Sequence, residues 1–220
     1  MQLADKIEKR RFIGREFLLW LWFESEIFEE TLTTKKHGDF GFWIEKEIVL
    51  SAGKEATRIK GTTPAHAREA KEALRLGKMP ERATFRLVLG ERESGFFLKA
   101  EALALGALTL PAVLDDGTAP TLGELGAELS APKKKKKGAE DEAEREADGK
   151  AEAFFDRMDL TQEVEGILQE LYRDFLALRL GATWEKIVVP ALRDWLAGDE
   201  LDADRYRVSR DKAVAARASR

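Results

Sequence analysis

Acidic residues flank the first two predicted strands of the chain. Glu24 and Glu26 come at the start of the first strand, and Glu45 and Glu47 stand two positions apart in the second. Residues two apart in a strand project from the same face, so adjacent strands could bring these four carboxylates together. Converging carboxylates are what a two-metal nuclease requires. The simpler interpretation, which we favour, is that they form the solvated face of a sheet.

Other groups that could carry out catalysis are scarce. The chain has two histidines, His37 and His66, and neither stands in a metal-binding spacing. It has no cysteine, which excludes thiolate zinc sites, cysteine nucleophiles and disulfides. Glycine-rich phosphate loops and the serine-hydrolase elbow are also missing from the sequence. The sequence therefore predicts a protein that is not an enzyme and that uses no metal or cofactor.

Basic residues occupy a segment that is predicted to be helical. Lys71, Arg75 and Lys78 follow one another at the spacing that places them along one helix face. Arg82 and Arg86 come next, at the start of a predicted strand. Such cations can contact phosphates without reading base sequence, so these residues are the candidates for DNA contacts. The alternative is that they form an ordinary solvated surface.

The overall charge is not that of a dedicated nucleic-acid binder. The 220 residues carry a net charge of −4 and a pI of about 5.5, so any basic surface must be local. Hydrophobic residues make up 44% of the chain and charged residues 35%, which is apolar enough to form a core. Because cysteine and a recognisable signal peptide are both missing, the sequence predicts a cytoplasmic protein.

An N-terminal helix, predicted over residues 3–23, must help to position these groups. It ends in FLLWLWF, residues 17–23, which are all apolar. This segment is too short to span a bilayer, because a spanning helix needs about 20 apolar residues. A helix that is apolar on all sides is usually buried, so we predict that the segment belongs to the core. An exposed docking surface is the alternative.

Strands with one polar face follow this helix. Alternating apolar and polar residues predict strands at residues 26–34, 40–50, 56–61, 84–90 and 95–103, with a short edge strand at 105–111. Lys46 breaks the alternation of the second strand. A helix is predicted over residues 62–78, with Thr62 or Thr63 as its N-terminal cap and Gly77 at its C-terminal end.

The predicted domain organisation places a linker between a sheet and a helical hairpin. The segments are a sheet domain (1–114), a disordered charged linker (115–150), a helical hairpin packing back on the sheet (151–198) and a polar tail (199–220). The linker contains a lysine block, residues 133–137, which could contact DNA or an acidic partner. Pro190 is expected to kink the second hairpin helix. The predicted fold class is α+β, an antiparallel sheet of a meander plus a hairpin, covered by an N-terminal helix, a middle helix and a C-terminal αα-hairpin.

Three segments resemble the RdgC family of bacterial, recombination-associated DNA-binding proteins. They are FIGREFLLWLWFESE at 12–26, AREAKEALRLGK at 67–78 and FDRMDLTQEVEGILQELYRDFLALRL at 155–180. The resemblance implies sequence-independent binding of double-stranded DNA, a homodimer that forms a ring around it, and restraint of strand exchange by RecA. Family members carry a long N-terminal half before the first segment, and this sequence begins just before that segment. A protein-interaction module that has lost DNA binding is the alternative.

Overall fold

The fold is built on six antiparallel strands with helices packed against one face. The computed structural model describes residues 3–101, 103–109 and 140–218. The chain divides into two compact units, residues 1–109 with 164–220, and residues 110–163. The first unit contains the sheet and confirms the predicted α+β class. The second unit is described only over helical residues 140–163.

All the strands of the sheet pair antiparallel. They are β1 (Thr31–Thr34), β2 (Gly38–Ala52), β3 (Glu55–Gly61), β4 (Met79–Leu89), β5 (Arg92–Lys99) and β6 (Ala104–Thr109). β1 and β3 pair with the two halves of one edge of the long strand β2, and β4, β5 and β6 follow in order on its other side. The first strand is shorter than predicted, because Glu29 and Glu30 adopt left-handed backbone conformations that turn the chain before Thr31.

Lys46 interrupts the alternation of β2 through a β-bulge. Ile44 pairs with Phe85 and Ile48 pairs with Ala83, so three residues of β2 face a single residue of β4. Strict alternation would direct the Lys46 side chain toward the core. Its positive φ of 67° instead leaves the ammonium group in solvent. The bulge therefore keeps a charge out of the core while the strand continues.

Five helices complete the described part of the chain. They are α1 (Leu3–Ile27), α2 (Arg68–Arg75), α3 (Glu140–Arg179), α4 (Val189–Ala197) and α5 (Ala203–Ala218). A 3-10 turn (Pro64–His66) precedes α2, and a π-helical turn (Trp184–Val188) precedes α4. None of the helices in the described ranges is long and apolar enough to cross a membrane.

The middle helix is shorter than the sequence pattern suggested. It begins at Arg68 rather than at a threonine cap, because the 3-10 turn intervenes and the Thr63 side chain makes no capping hydrogen bond. Gly77, with a φ of 82°, takes the left-handed conformation expected at the end of a helix. Since α2 ends at Arg75, Lys78 lies outside the helix and the predicted three-residue basic face does not form.

The C-terminal half contains more helix than predicted. Residues 140–150, assigned to a disordered linker, form the beginning of α3, where alanine and glutamate favour a helix. Residues 203–218, assigned to a polar tail, form α5. The tail prediction was wrong because Tyr206, Arg210 and Val214, at helical spacing, are buried. The remainder of the predicted linker, including the lysine block at 133–137, lies outside the described residues.

The apolar segment FLLWLWF forms the centre of the core, which confirms its predicted burial. All of its residues except the half-buried Leu19 are at most 2% exposed. The Phe17 ring contacts Phe175 of α3 at a centroid distance of 5.3 Å, and the Trp22 ring contacts Trp195 of α4 at 5.4 Å. The sheet and the C-terminal helices of the first unit therefore share one core with α1.

A glycine allows α1 to approach the sheet closely. A Cβ atom built on Gly14 would lie 1.9 Å from the carbonyl oxygen of Ala100, just after β5. No side chain fits in that space, so the helix and the strand end can pack this closely only with glycine at this position.

Candidate nucleic-acid interface

The face of the sheet opposite the core, which we call the outer face, carries charged and aromatic side chains. It comprises Trp43, Glu45, Glu47 and Val49 of β2, Arg58 and Lys60 of β3, Arg82, Thr84, Arg86 and Val88 of β4, and Glu93, Gly95, Phe97 and Lys99 of β5. Most of these residues are half-buried or exposed, while residues between them along β2, β4 and β5, such as Ile44, Phe85 and Phe96, are buried.

One end of the outer face is strongly basic. The strand registers place Arg58, Val49, Arg82 and Lys99 in one row across four strands. In the next outward-facing pair of β2 and β3, Lys60 lies opposite Glu47, and Lys46 precedes Glu47 at the bulge. We define the basic end as the five cations Lys46, Arg58, Lys60, Arg82 and Lys99. Among these cations, Arg58 and Arg82 pair with Glu47, and Nζ of Lys46 lies 3.9 Å from a carboxylate oxygen of Glu45.

Glu47 organises two of the arginines of the basic end. It accepts a 2.7 Å hydrogen bond from Nε of Arg58, a second bond from the same guanidinium, and one from Arg82. Burial acts to raise the pKa of Glu47, but the hydrogen bonds from the two arginines outweigh it and hold the pKa below the usual 4.5. Glu47 is therefore ionised at neutral pH and fixes both guanidinium groups on the outer face.

The other end of the outer face is balanced in charge. Nη1 of Arg86 lies 3.1 Å from a carboxylate oxygen of Glu45, and the same guanidinium also pairs with Glu93. Trp43 lies half-buried beside this group, on the same strand as Glu45. The charge asymmetry of the outer face thus runs along the strands, from a basic end to a paired end.

The structure divides the five predicted DNA contacts into two groups. Arg82 and Arg86 lie on the outer face, whereas the other three are engaged elsewhere. Nζ of Lys71 lies 2.7 Å from Glu26. Nε of Arg75 donates a 2.9 Å hydrogen bond to the carbonyl of Leu196. Nζ of Lys78 donates a 2.9 Å bond to the hydroxyl of Thr57, on the inner side of β3.

Sequence reasoning missed four cations of the basic end, namely Lys46, Arg58, Lys60 and Lys99. Period-two alternation could have placed each of the last three on the polar face of its own strand. Their assembly depends on strand register, which brings residues about 40 positions apart into one row. The local spacing that drew attention to α2 carries no information about register.

The four carboxylates considered as metal ligands do not converge. Glu45 and Glu47 lie on the outer face, while Glu24 and Glu26 belong to α1, which packs on the inner face. Each of the four is occupied by basic or hydrogen-bonding partners. Within the described residues no group of three metal-ligating side chains is close enough to hold an ion. The geometry required by the nuclease hypothesis is therefore not formed.

Glu24 instead fastens α5 to α1. Its side chain is 1% exposed and accepts hydrogen bonds from Nη1 of Arg210 at 2.5 Å and from the Tyr206 hydroxyl at 2.7 Å. Burial raises the pKa of Glu24, and the Arg210 charge and the two hydrogen bonds oppose that rise. Burial and the adjacent carboxylate place the pKa of Tyr206 well above its usual value, so the phenol remains a donor.

Two further acids of α1 hold the other C-terminal helices in the same way. Glu26 accepts hydrogen bonds from the indole N–H groups of Trp22 at 2.7 Å and of Trp195, in α4, at 2.8 Å. Glu16 accepts a 2.5 Å bond from Nε of Arg179, at the end of α3. Glu16, Glu24 and Glu26 therefore each bind a different C-terminal helix and have structural partners.

Comparisons with protein-family models, with characterised proteins and with solved structures returned no significant match to this chain. Function is therefore inferred from the chemistry of the outer face. That face presents a fixed concentration of positive charge and half-exposed aromatic rings, and its carboxylates are paired with arginines.

Proposed function

We propose that this protein is a non-enzymatic DNA-binding protein that holds phosphates on the basic end without reading base sequence. The observation that supports this proposal most directly is the concentration of five cations at one end of the outer face, two of them fixed by Glu47, in a chain whose net charge is −4. The resemblance to the RdgC family supports the same class of activity. It further suggests a role in recombination, a homodimer, and a cytoplasmic location at the nucleoid.

The dimensions of the basic end suit a phosphate backbone. Its row crosses four strands, which amounts to about 14 Å at the usual spacing of about 4.8 Å. One DNA strand carries a phosphate about every 3.4 Å of helix axis, so a surface of this length can face several phosphates. Contacts of this kind fix position and carry no base information.

The paired arginines retain donors for such contacts. A guanidinium group has five N–H donors, and Glu47 receives bonds from two nitrogens of Arg58 and one nitrogen of Arg82. The remaining donors are held in place by these same bonds, so little side-chain entropy is lost when a phosphate binds. The exposed Lys60 and Lys99 add charge on either side of the arginines.

Titration of a short DNA duplex at several salt concentrations tests the proposal. We expect the logarithm of the affinity to fall linearly with the logarithm of salt concentration, with a slope of about −3 to −4 for roughly four phosphate contacts. The double variant Lys60→Glu/Lys99→Glu should bind much more weakly and show a shallower slope. Lys186→Glu/Lys212→Glu, which makes the same charge change at two exposed lysines of the π-helical turn and of α5, is the matched control. No binding at low salt, or equal losses in the variant and the control, would contradict the proposal.

A protein partner is the second candidate, and the paired end of the outer face favours it. Tryptophan and arginine are enriched in the energetically important centres of protein interfaces, and Trp43 lies beside Arg86 there. Arg86 is already neutralised by Glu45 and Glu93, which suits a protein surface better than a phosphate. Two results together would favour this candidate. The unmodified chain should recover a stable protein partner that the Arg86→Glu variant does not recover, and no DNA should bind at low salt.

A further inference from the structure

Two aromatic rings lie across glycines on the outer face. Phe97 of β5 pairs with Gly106 of β6, and a Cβ atom built on Gly106 would lie 2.3 Å from Cζ of the Phe97 ring. A Cβ atom built on Gly41 would lie 3.1 Å from Cζ3 of Trp43. Glycine at both positions therefore lets the ring cover the sheet where a side chain would otherwise stand.

The Phe97 ring stands among the cations of the basic end. The Arg82 guanidinium carbon and the Lys99 ammonium nitrogen each lie 5.6 Å from its centroid. The ring is only half-buried, although a phenylalanine gains most by full burial. A partly exposed ring beside cations that can contact phosphates is the arrangement that proteins use for unpaired bases, which stack on the ring while cations follow the backbone.

We propose that the outer face takes single-stranded DNA in preference to duplex, with one base stacked on Phe97 and another on Trp43. This inference rests on the proposed function and adds the form of the DNA. In a duplex the bases are stacked on each other and cannot reach the rings, whereas a single strand can turn its bases toward the sheet. The rings stand two strands and two residues apart, about 12 Å at ordinary strand dimensions, so they receive different bases.

Tryptophan fluorescence gives a direct signature of stacking. Trp20, Trp22, Trp184 and Trp195 are at most 7% exposed, so Trp43 is the remaining tryptophan of the five that a base can reach. Oligo(dT) should quench the emission of the full chain, and a duplex of equal length should quench it much less. Trp43→Phe removes the fluorophore that a base can reach, so it should abolish the quenching.

Variants of Phe97 separate stacking from charge. Loss of one stacked base corresponds to roughly a 5- to 150-fold weaker affinity, so we expect that loss for oligo(dT) in Phe97→Leu and a much smaller loss for duplex. Phe97→Tyr keeps the ring and should bind as the unmodified chain does. Val88→Ala, which shortens an apolar side chain on the same face, is the control for general damage. Trp43→Leu tests the second ring independently, should Phe97→Leu fail to fold.

The outcomes distinguish this inference from the proposed function. Quenching by oligo(dT) together with selective loss in Phe97→Leu supports it. If both DNA forms bind equally, without quenching and without an effect of Phe97→Leu or Trp43→Leu, stacking is refuted while electrostatic binding stands. If neither form binds at low salt, both proposals fall.

Discussion

Replacement of Arg210 by methionine is the sharpest test of how the C-terminal helix is held. Methionine has a similar length and keeps the apolar contacts of the side chain, but it removes the charge that faces Glu24. Removing one partner of a buried ion pair costs about 3–5 kcal/mol, because the other charge is left without compensation. For a folded unit of this size that corresponds to a fall in Tm of roughly 6–20 °C.

The dependence on pH identifies the cause of this loss. Burial already raises the pKa of Glu24 above 4.5, and removal of Arg210 removes the largest effect that opposes the rise. A carboxyl with a raised pKa in the folded state binds its proton more tightly there than in the unfolded chain. The stabilisation that this provides is complete below the pKa of the unfolded chain and is lost as pH rises through the pKa of the folded state. The penalty of Arg210→Met should therefore be largest at neutral pH and shrink on acidification toward 4.5.

Chemical denaturation followed by circular dichroism measures these differences, and a double-mutant cycle isolates the pair. Glu24→Gln removes the buried charge, so Arg210→Met should cost much less in that background, with a coupling energy of about 1–3 kcal/mol. An Arg210→Met penalty below about 1 kcal/mol would place it among ordinary surface changes and refute a buried pair. A buried pair would also be refuted by a penalty that is constant with pH, or by a penalty that simply adds to the penalty of Glu24→Gln.

Two further predictions concern the packing of α1 and the outer face. Gly14→Ala should lower the free energy of unfolding by about 1–3 kcal/mol, because the added methyl group overlaps the carbonyl of Ala100. Gly61→Ala is the control. Its methyl group enters open space, so this variant should be neutral or slightly stabilising. Equal melting temperatures for the two variants would show that the approach of α1 to Ala100 is not that close. Glu47→Gln should lower stability at neutral pH and progressively less as pH falls below 4.5, because the depressed pKa of Glu47 contributes stability that protonation removes. A loss of stability in Glu47→Gln that stays constant with pH in this denaturation series would contradict a pKa held down by Arg58 and Arg82.

The elements that sequence reasoning predicted best are those with strong local patterns. Residues 17–23 could be assigned to the core because a run of apolar residues on every side of a helix has few other places to lie. Residues 40–50 could be assigned to a strand because the alternation is regular and Lys46 alone departs from it. The bulge at Lys46 resolves that departure, and its positive φ is a local consequence of a charged residue at an inward position.

Helix α5 could not be predicted because its burial depends on a distant partner. Its sequence is rich in charge, and its inward face includes an arginine, which composition alone places in solvent. Arg210 is buried only because Glu24, 186 residues earlier, supplies the opposite charge. The basic end was missed for a related reason, since its row exists only once the register of four strands is known.

The three acids of α1 meet partners that are synthesised much later than α1. Glu16, Glu26 and Glu24 meet their C-terminal partners across 163, 169 and 186 residues of sequence. During synthesis on the ribosome, FLLWLWF and these carboxylates emerge long before Arg179, Trp195 and Arg210 exist to cover them. Contacts of such high sequence separation slow folding and leave apolar surface open to aggregation in the meantime. FLLWLWF therefore gains its complete set of C-terminal contacts, including the contact of Phe23 with Tyr206, only after α5 has been synthesised.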